Sequence, residues 1–139
     1  SPGYYERLKE NPKRFYYLSL IKEQNNTFSI HGLWPQYSTT SYPTYCTNVT
    51  FDANKLQPII SKLNESWYST QEKNEDFWKH EYEKHGSCVF TPMTELEYFQ
   101  KTLDLYQEAI KEDLPKHFYD ENTKKCLIPV STYFKFVVN

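Results

Sequence analysis

Three of the four histidines lie in two short segments of the chain. Residues 28–35 read FSIHGLWP and contain His31, and residues 77–88 read FWKHEYEKHGSC and contain His80 and His85. A pair of imidazoles suits general acid–base catalysis at about pH 5–7, because a neutral ring can accept a proton while a charged ring donates one. These histidines are therefore the first candidates for catalysis.

The second segment predicts a helix with its polar side chains on two neighbouring strips. Glu81 and His85 lie four positions apart and share one face. His80 and Lys84 share a second face, about 100° away around the helix. Lys84 and a further imidazole could neutralise a phosphorane-like transition state, and Glu81 could orient or tune a histidine. These groups suit transphosphorylation of RNA by the ribose 2′-hydroxyl, which excludes DNA as a substrate because DNA lacks that group.

Two other interpretations of the segments stay open. Two histidines flanking a glutamate resemble a zinc-protease helix, but that motif places the histidines four positions apart. His80 and His85 are five apart, which turns their rings about 140° from each other. A third zinc ligand would then have to come from His31 or a cysteine. Alternatively, the segment is a solvated polar helix whose aromatic residues face the core.

The composition is that of one folded domain, spanning residues 1–139. Aromatic residues make up 18% of the chain, which argues against disorder. No stretch approaches the roughly 18 apolar residues of a membrane span, so no membrane partner is expected. Sixteen Lys and Arg against 18 Asp and Glu give a net charge of −2, so a polyanion would be held at a local site and not by a wide basic surface.

The hydrophobic patterns predict strands on both sides of a helical middle. Strands are predicted at residues 15–21, 28–31, 126–130 and 133–138, a Gly–Pro turn at 32–35, and helices at 52–67, 77–88 and 94–114. Asp52 is the predicted N-cap of the first helix, and Thr94 with Glu97 forms a capping box in the third. Because strands and helices do not alternate, we expect an α+β fold with a central, mostly antiparallel β-sheet packed with helices.

The cysteines and the glycosylation sequons give evidence on whether the chain is cytosolic or secreted. Three cysteines allow either three reduced thiols or one disulfide with a leftover thiol in a secreted chain. Asn25, Asn48 and Asn64 each begin an Asn-X-Ser/Thr sequon and are predicted glycosylation sites. The chain opens with SPG and no apolar leader, so we expect any secretory signal to have been removed already or never to have been present.

The two histidine segments resemble the two active-site signatures of the ribonuclease T2 family of secreted and lysosomal or vacuolar endoribonucleases. The residues SYP at 41–43, Cys46 and the helix from Thr94 are also similar to the family, and the resemblance covers roughly residues 15–112. It implies a ribonuclease T2-like domain that cleaves single-stranded RNA to 2′,3′-cyclic phosphate ends without metal or cofactor. It also implies a location outside the cell or in the lysosomal or vacuolar lumen. We further expect a monomer.

Carried over residue by residue, the resemblance implies a role for each polar side chain. His85 would be the general base on the 2′-hydroxyl, and His31 the general acid for the leaving oxygen. His80 would bind the phosphate. Glu81 and Lys84 would stabilise the pentacovalent transition state.

The resemblance also implies the base-binding residues and a disulfide. Trp34 and Tyr42 would stack on a base, a contact worth about 1–3 kcal/mol. Gln36 occupies the place where some members use Asp to favour adenine. Cys46 and Cys88 would form the disulfide that members of the family share.

The chain departs from the family pattern in three places. Residues 21–24 read IKEQ where members usually carry Gln-Trp-Pro, a change that falls on the second base subsite. The region between Leu114 and Cys126 is short, and Cys126 has no obvious partner. The alternative function is a secreted binding or signalling protein that keeps the scaffold with a vestigial nuclease site, and the intact set of histidines argues against it.

Overall fold

A six-stranded β-sheet organises the chain in a computed structural model that describes residues 5–7 and 14–138. The strands are β1 (Tyr5–Arg7), β2 (Phe15–Lys22), β3 (Phe28–Gln36), β4 (Tyr119–Asp120), β5 (Lys125–Val130) and β6 (Phe136–Val138). Their order is β1-β6-β5-β2-β3, with β4 pairing to β5. Only the β1–β6 pair is parallel among the described strands. The predicted α+β class with a mostly antiparallel sheet is confirmed.

Helices fill the middle of the chain, as the hydrophobic pattern predicts. They are α1 (Ile60–Ser66), α2 (Asn74–Lys84), α3 (Glu95–Lys111) and α4 (Pro115–Phe118), with 3-10 helices at Ala53–Ile59 and Gly86–Cys88. The predicted capping box begins α3, because the Thr94 hydroxyl accepts the Glu97 N–H at 3.1 Å and the Glu97 carboxylate accepts the Thr94 N–H at 2.8 Å. Within the described ranges, no helix is both long and apolar enough to cross a membrane.

One face of the sheet packs against α3 to form the core. The aliphatic residues that β2, β3, β5 and α3 bury here are all at most 3% exposed, and they include Leu18, Leu20, Ile30, Leu33, Leu103, Ile128 and Val130. Burying one such side chain stabilises the fold by about 1.5–3 kcal/mol. The alternating residues of the same strands point to the opposite face, which is left for the functional site.

The Gly–Pro turn predicted at residues 32–35 is wrong, because β3 continues through these residues to Gln36. β3 is the edge strand of the sheet, and an edge strand tolerates a proline because one side of it needs no N–H donor. Pro35 therefore pairs with Tyr16 inside the strand. Gly32 has no positive φ, so its conformational freedom is not the reason for its presence.

The first predicted helix, at residues 52–67, is only partly right. Its first half is the 3-10 helix Ala53–Ile59, which contains Pro58. Proline lacks an N–H and disfavours the α conformation in the residue before it, so the α-helix begins only at Ile60. Asp52 is the N-cap, as predicted, and its side chain accepts the Asn54 N–H at 3.0 Å.

Other boundaries also differ from the predictions. The helix predicted at residues 77–88 is α2, which begins at Asn74 and ends at Lys84, and α3 stops before the predicted end at residue 114 because Asp113 turns into the left-handed region (φ 58°). The last strand begins at Phe136 and not at residue 133, because Phe134 (φ 61°) lies in a turn. The elements β1, β4 and α4 went unpredicted, since pieces of two to four residues are too short for a periodic pattern.

Candidate active site

A β-bulge in β3 positions His31. The register pairs Leu20 with Ile30 and then Ser19 with Gly32, so His31 is the extra residue between two pairs. A bulge kinks its strand and re-aims a side chain. His31, which the sequence places at the end of a short strand, therefore lies inside a longer one, with 39% of its side chain exposed.

The C-terminal end of α2 supplies the other polar groups. Glu81 and His85 are 2% and 4% exposed, whereas His80 is exposed and Lys84 is half-buried. This difference in burial agrees with the two helical strips predicted from the spacing. His85 is the C-cap residue of α2, and its backbone N–H donates to the Glu81 carbonyl at 2.9 Å.

The Trp34 ring joins the two segments. Its Nε1–H donates to Glu81 Oε1 at 2.8 Å, and its face stacks on the His85 ring with centroids 5.0 Å apart and planes at 23°. The His31 ring meets it edge-on at 4.9 Å. His31 Nε2 also lies 3.7 Å from Glu81 Oε2. The structure therefore brings together three of the predicted catalytic residues from two distant parts of the chain.

Gly32 is required by this close packing. A Cβ atom at position 32 would overlap the Glu81 carboxylate oxygen and would lie 2.6 Å from Trp34 Nε1. The buried hydrogen bond between Trp34 and Glu81 thus occupies the space that a side chain at position 32 would fill. The glycine that the sequence analysis takes as a turn signal instead permits a close approach of α2 to the sheet.

These side chains line a cleft of about 310 Å³. All eight catalytic and base-binding residues predicted from the sequence lie at it: His31, Trp34, Gln36, Tyr42, His80, Glu81, Lys84 and His85. Gln36 is only 4% exposed, and its Nε2 donates to the Ser38 carbonyl at 2.9 Å. Tyr42 is 51% exposed, and its ring centroid lies 6.4 Å from that of His85.

Four residues at the cleft were not predicted: Tyr17, Thr39, Lys125 and Leu127. In β5 the burial alternates, so that Lys125, Leu127 and Pro129 form its more exposed face. That alternation is readable in the sequence and indicates a face. It does not indicate that β5 lies beside β2, which is what brings Lys125 to the cleft.

A second cavity of about 390 Å³ adjoins the cleft. It shares His31, His80 and Glu81 with the cleft and extends towards Tyr68 and Phe77. Its lining also includes Ile21 and Glu23, which belong to the segment where the chain departs from the family pattern. The two cavities therefore meet at the histidines.

Burial controls the charges of the site. Burial is the largest cause that lowers the pKa of His85 to about 3 and that of His31 to about 4, and the positive charges of Lys84 and His80 contribute to both shifts. Burial raises the pKa of Glu81 to about 7, against the opposing effect of the Trp34 hydrogen bond. The cleft thus holds two neutral imidazoles at pH 5–7, and a bound anion would favour their protonation.

A disulfide between Cys46 and Cys88 fixes the loop after β3 to the end of α2, which confirms the predicted pairing. Two hydrogen bonds reinforce this connection, one from the Cys46 N–H to Ser87 Oγ at 3.0 Å and one from the Tyr45 N–H to the Lys84 carbonyl at 2.9 Å. Cys126 is free and buried, and burial raises the pKa of its thiol to about 12.

The zinc interpretation needs a third ligand beside His80 and His85. The two cysteines near the cleft are joined in the disulfide and are not available as thiolates. Among the residues that the structure describes, no group of three or more His, Cys, Asp or Glu side chains is arranged to hold a metal ion.

The fold and the cleft together define a class of site: a cleft at the edge strand of an α+β sheet that is lined by three imidazoles, a buried carboxylate, lysines and aromatic rings. The model of the Ribonuclease T2 family matches residues 8–125. The chain therefore belongs to the ribonuclease T2 family.

Individual relatives agree with this assignment. Ribonuclease DdI of Dictyostelium discoideum is 42% identical over 88 residues, which cover 62% of this chain and 40% of that protein. A ribonuclease-like storage protein of Panax ginseng is 35% identical over 116 residues, which cover 66% of this chain and 49% of the relative. The chain thus spans two fifths to one half of these two relatives.

The fold is also similar to that of a solved structure. Ribonuclease MC1 from the seeds of bitter gourd superposes with a TM-score of 0.69 at 22% sequence identity, covering 91% of this chain and 93% of that chain. At this identity the likeness concerns the fold.

Proposed function

We propose that this chain is an endoribonuclease that cleaves single-stranded RNA by metal-independent transphosphorylation and leaves 2′,3′-cyclic phosphate ends. The observation that carries the proposal is the meeting of His31, His80 and His85 with Lys84 at one cleft lined by aromatic rings. Membership of the ribonuclease T2 family supports it. DNA is not a substrate, because the nucleophile is the ribose 2′-hydroxyl.

In the proposed reaction, His85 removes the proton from the 2′-hydroxyl. Its low pKa keeps the ring neutral at pH 5–7, as a general base requires. The 2′-oxygen attacks phosphorus while the bond from phosphorus to the 5′-oxygen breaks. His31 gives a proton to the leaving 5′-oxygen, so the reaction consumes and releases no net proton.

His31 must be charged to act as the acid, although burial and the neighbouring positive charges lower its pKa to about 4. The phosphate of the substrate supplies a negative charge that raises this pKa. In the proposal, His80 and Lys84 bind the phosphate oxygens, and Glu81 and Lys84 stabilise the pentacovalent transition state. The protein then becomes fully active only with its substrate in place.

Base binding is proposed for Trp34, Gln36 and Tyr42. One face of the Trp34 indole is covered by His85, so a base would stack on the opposite face or on Tyr42. Variants of ribonuclease MC1 have been solved with 5′-GMP and with 5′-UMP, which supports a nucleotide in the corresponding cleft. The second cavity would take the nucleoside on the 3′ side of the cleaved bond.

The test is incubation of the purified protein with single-stranded RNA in excess EDTA. We expect cleavage with products that end in 2′,3′-cyclic phosphate, identified by mass spectrometry, and no cleavage of the DNA of the same sequence. Complete loss of activity in EDTA, or equal cleavage of DNA, would contradict the mechanism. A pH–rate profile that still rises above about pH 9 would argue against the histidine pair.

We also propose that the protein works outside the cell or in the lysosomal or vacuolar lumen, as a glycosylated monomer. The disulfide fits an oxidising compartment. Asn25, Asn48 and Asn64 are all exposed, so each sequon is accessible for modification. Expression in a eukaryotic secretory host, followed by glycosidase treatment and analytical ultracentrifugation, tests the glycans and the oligomeric state.

A second candidate is a binding or signalling role on the same scaffold, with a vestigial nuclease site. The printed name of the ginseng relative, a ribonuclease-like storage protein, favours keeping this possibility. The variants His31→Phe and His85→Phe discriminate between the two. Lost cleavage with unchanged biological action would support the binding role, and parallel loss of both would support the nuclease.

A further inference from the structure

Lys125 reaches the cleft from the side opposite to α2. It begins β5, and β2 separates β5 from β3, so Lys125 lies two strand spacings, or about 10 Å, from the strand that carries His31. Leu127 of β5 and Tyr17 of β2, the register partner of Pro129, line the same cleft. Tyr17, Lys125 and Leu127 have no part in the acid–base steps proposed above.

The Lys125 ammonium forms no ion pair with any side chain that the structure describes, residues 14–137. Its register partner on β4 is Asp120, but the Asp120 carboxylate accepts the Asn122 N–H at 2.8 Å. Lys125 is also exposed. A lysine without a carboxylate partner at the rim of a cleft is a point charge suited to a phosphate oxygen.

We propose that Lys125 binds the RNA backbone phosphate one nucleotide to the 5′ side of the cleaved linkage. The inference rests on the proposed function, because it places the cleaved phosphate among the three imidazoles. In the proposed function that phosphate already has His80 and Lys84 as its cationic partners on the α2 side of the cleft, opposite Lys125. The neighbouring phosphate of the strand is the next anion that Lys125 can meet.

The 5′ side is favoured by the charges of the two cavities. Lys125 shares its cleft with Trp34 and Tyr42, the proposed base-binding residues of the nucleotide on the 5′ side. The second cavity, proposed for the 3′ side, has neither Lys nor Arg in its lining and includes Glu23 and Glu72. A flanking phosphate on the 3′ side would meet carboxylates, which repel it.

Binding is measured first with substrates that cannot be cleaved. A 2′-deoxy dinucleotide with one internal phosphate is compared with the same dinucleotide carrying an added 5′-phosphate. For the unmodified protein we expect the 5′-phosphate to tighten binding about three- to fivefold, as for a single exposed ion pair. In Lys125→Gln this ratio should fall to about one, and the salt dependence of log K for the phosphorylated dinucleotide should become shallower by about 0.7.

Lys124→Asn is the matched control. Lys124 is the adjacent exposed lysine and does not line the cleft, and asparagine tolerates its left-handed backbone (φ 58°). This variant removes the same charge and should keep the three- to fivefold ratio. Retention of the ratio in Lys125→Gln, or an equal loss in Lys124→Asn, would overturn the proposal.

The ribose forms of the two dinucleotides separate this inference from the proposed function. The advantage of the 5′-phosphate in KM should again depend on Lys125, and a 3′-phosphate should give no such advantage. If the ribose forms are bound but not cleaved, the nuclease proposal fails while the phosphate contact stands. If they are cleaved equally well with and without the 5′-phosphate, the phosphate contact fails alone.

Discussion

A cavity of larger volume lies away from the predicted catalytic residues, which line a cleft of smaller volume. We call the larger one the far cavity, and it has a volume of about 540 Å³. It lies between the β2–β3 turn and the C-terminal end of α3. Its lining includes Lys22, Phe28, Tyr106, Asp113, Lys116, Tyr119 and Glu121. The cleft that His31, His80 and His85 line, which is the proposed catalytic site, measures about 310 Å³. The difference between the two is in how their charged groups are paired.

In the far cavity each lysine has a carboxylate partner. Lys22 lies 3.9 Å from Glu121 and also over the Tyr119 ring at 4.7 Å, and Lys116 pairs with Asp113. In the cleft, by contrast, Lys84 and Lys125 form no ion pair with the described side chains of residues 14–137, and the one carboxylate that lines it, Glu81, is buried. Unpaired groups that the fold holds in place can act on a ligand, whereas paired groups stabilise each other.

The largest expected difference between the two cavities is in how strongly a histidine substitution at each lowers kcat/KM. We expect His31→Ala and His85→Ala each to lower kcat/KM for RNA by about 10²- to 10⁴-fold, the usual contribution of a general acid or base. His117 is exposed on α4, beside the far cavity, and His117→Ala should leave cleavage within about twofold, as surface substitutions usually do. Steady-state kinetics on a fluorogenic RNA measures all three. A similar loss in His117→Ala would abolish the distinction between the two cavities.

The next largest expected losses, of stability and of kcat/KM, come from adding a side chain at Gly32. Gly32→Ala places a methyl group where the Glu81 carboxylate lies, so the carboxylate must move and the strain should cost about 1–3 kcal/mol of stability. We expect kcat/KM to fall at least about tenfold, since a small displacement of a catalytic group has large effects. Thermal unfolding and kinetics measure the two losses.

A second substitution serves as the control for this prediction. Glu81→Asp shortens the side chain that the new methyl group would overlap. Combined with Gly32→Ala, it should restore part of the lost stability relative to Gly32→Ala alone. Additive losses in the double variant would show that the methyl group clashes with something other than this carboxylate.

Anion binding should be pH-dependent in the cleft. The imidazoles of His31 and His85 are neutral above their pKa values of about 4 and 3, and a bound anion raises both pKa values. Binding therefore takes up protons, is strongest at low pH and weakens as the pH rises. The Kd for sulfate, which stays a dianion, should rise by up to about tenfold per pH unit for each proton taken up.

Calorimetry in two buffers of different ionisation enthalpy measures the proton uptake directly. The variant His31→Asn should take up fewer protons, whereas His117→Ala should behave like the unmodified protein. A sulfate affinity that does not change between pH 5 and 8 would refute the coupling between anion and imidazoles.

The sequence predicts the site better than it predicts the strand that carries it. Helical spacing is enough to place His80, Glu81, Lys84 and His85 on neighbouring strips, because a helix is a local structure. The bulge at His31 depends on how β3 pairs with β2, and that register is not visible in the segment 28–35. For this reason glycine and proline there indicate a turn that the structure does not contain.

Long-range pairing also explains the residues that were missed. Tyr17 lies on β2, which pairs with β3, and Lys125 lies on β5, which pairs with the other side of β2. Neither pairing is visible in the local sequence. The fold class itself could be predicted, since it depends on the sequence of elements and not on their neighbours. Trp34 was predicted at the cleft, but its hydrogen bond to Glu81 depends on how closely α2 approaches the sheet.

The smallest expected effect is at the ion pairs of the far cavity. Lys116→Gln removes the partner of Asp113, and both side chains are more than half exposed. Such a pair contributes at most about 1 kcal/mol, so the free energy of unfolding should change by less than that. RNA cleavage should stay within about twofold, because the pair has no contact with the cleft. A larger loss of activity would mean that the far cavity is coupled to the histidines, and the pairing of charges would then not distinguish the two regions.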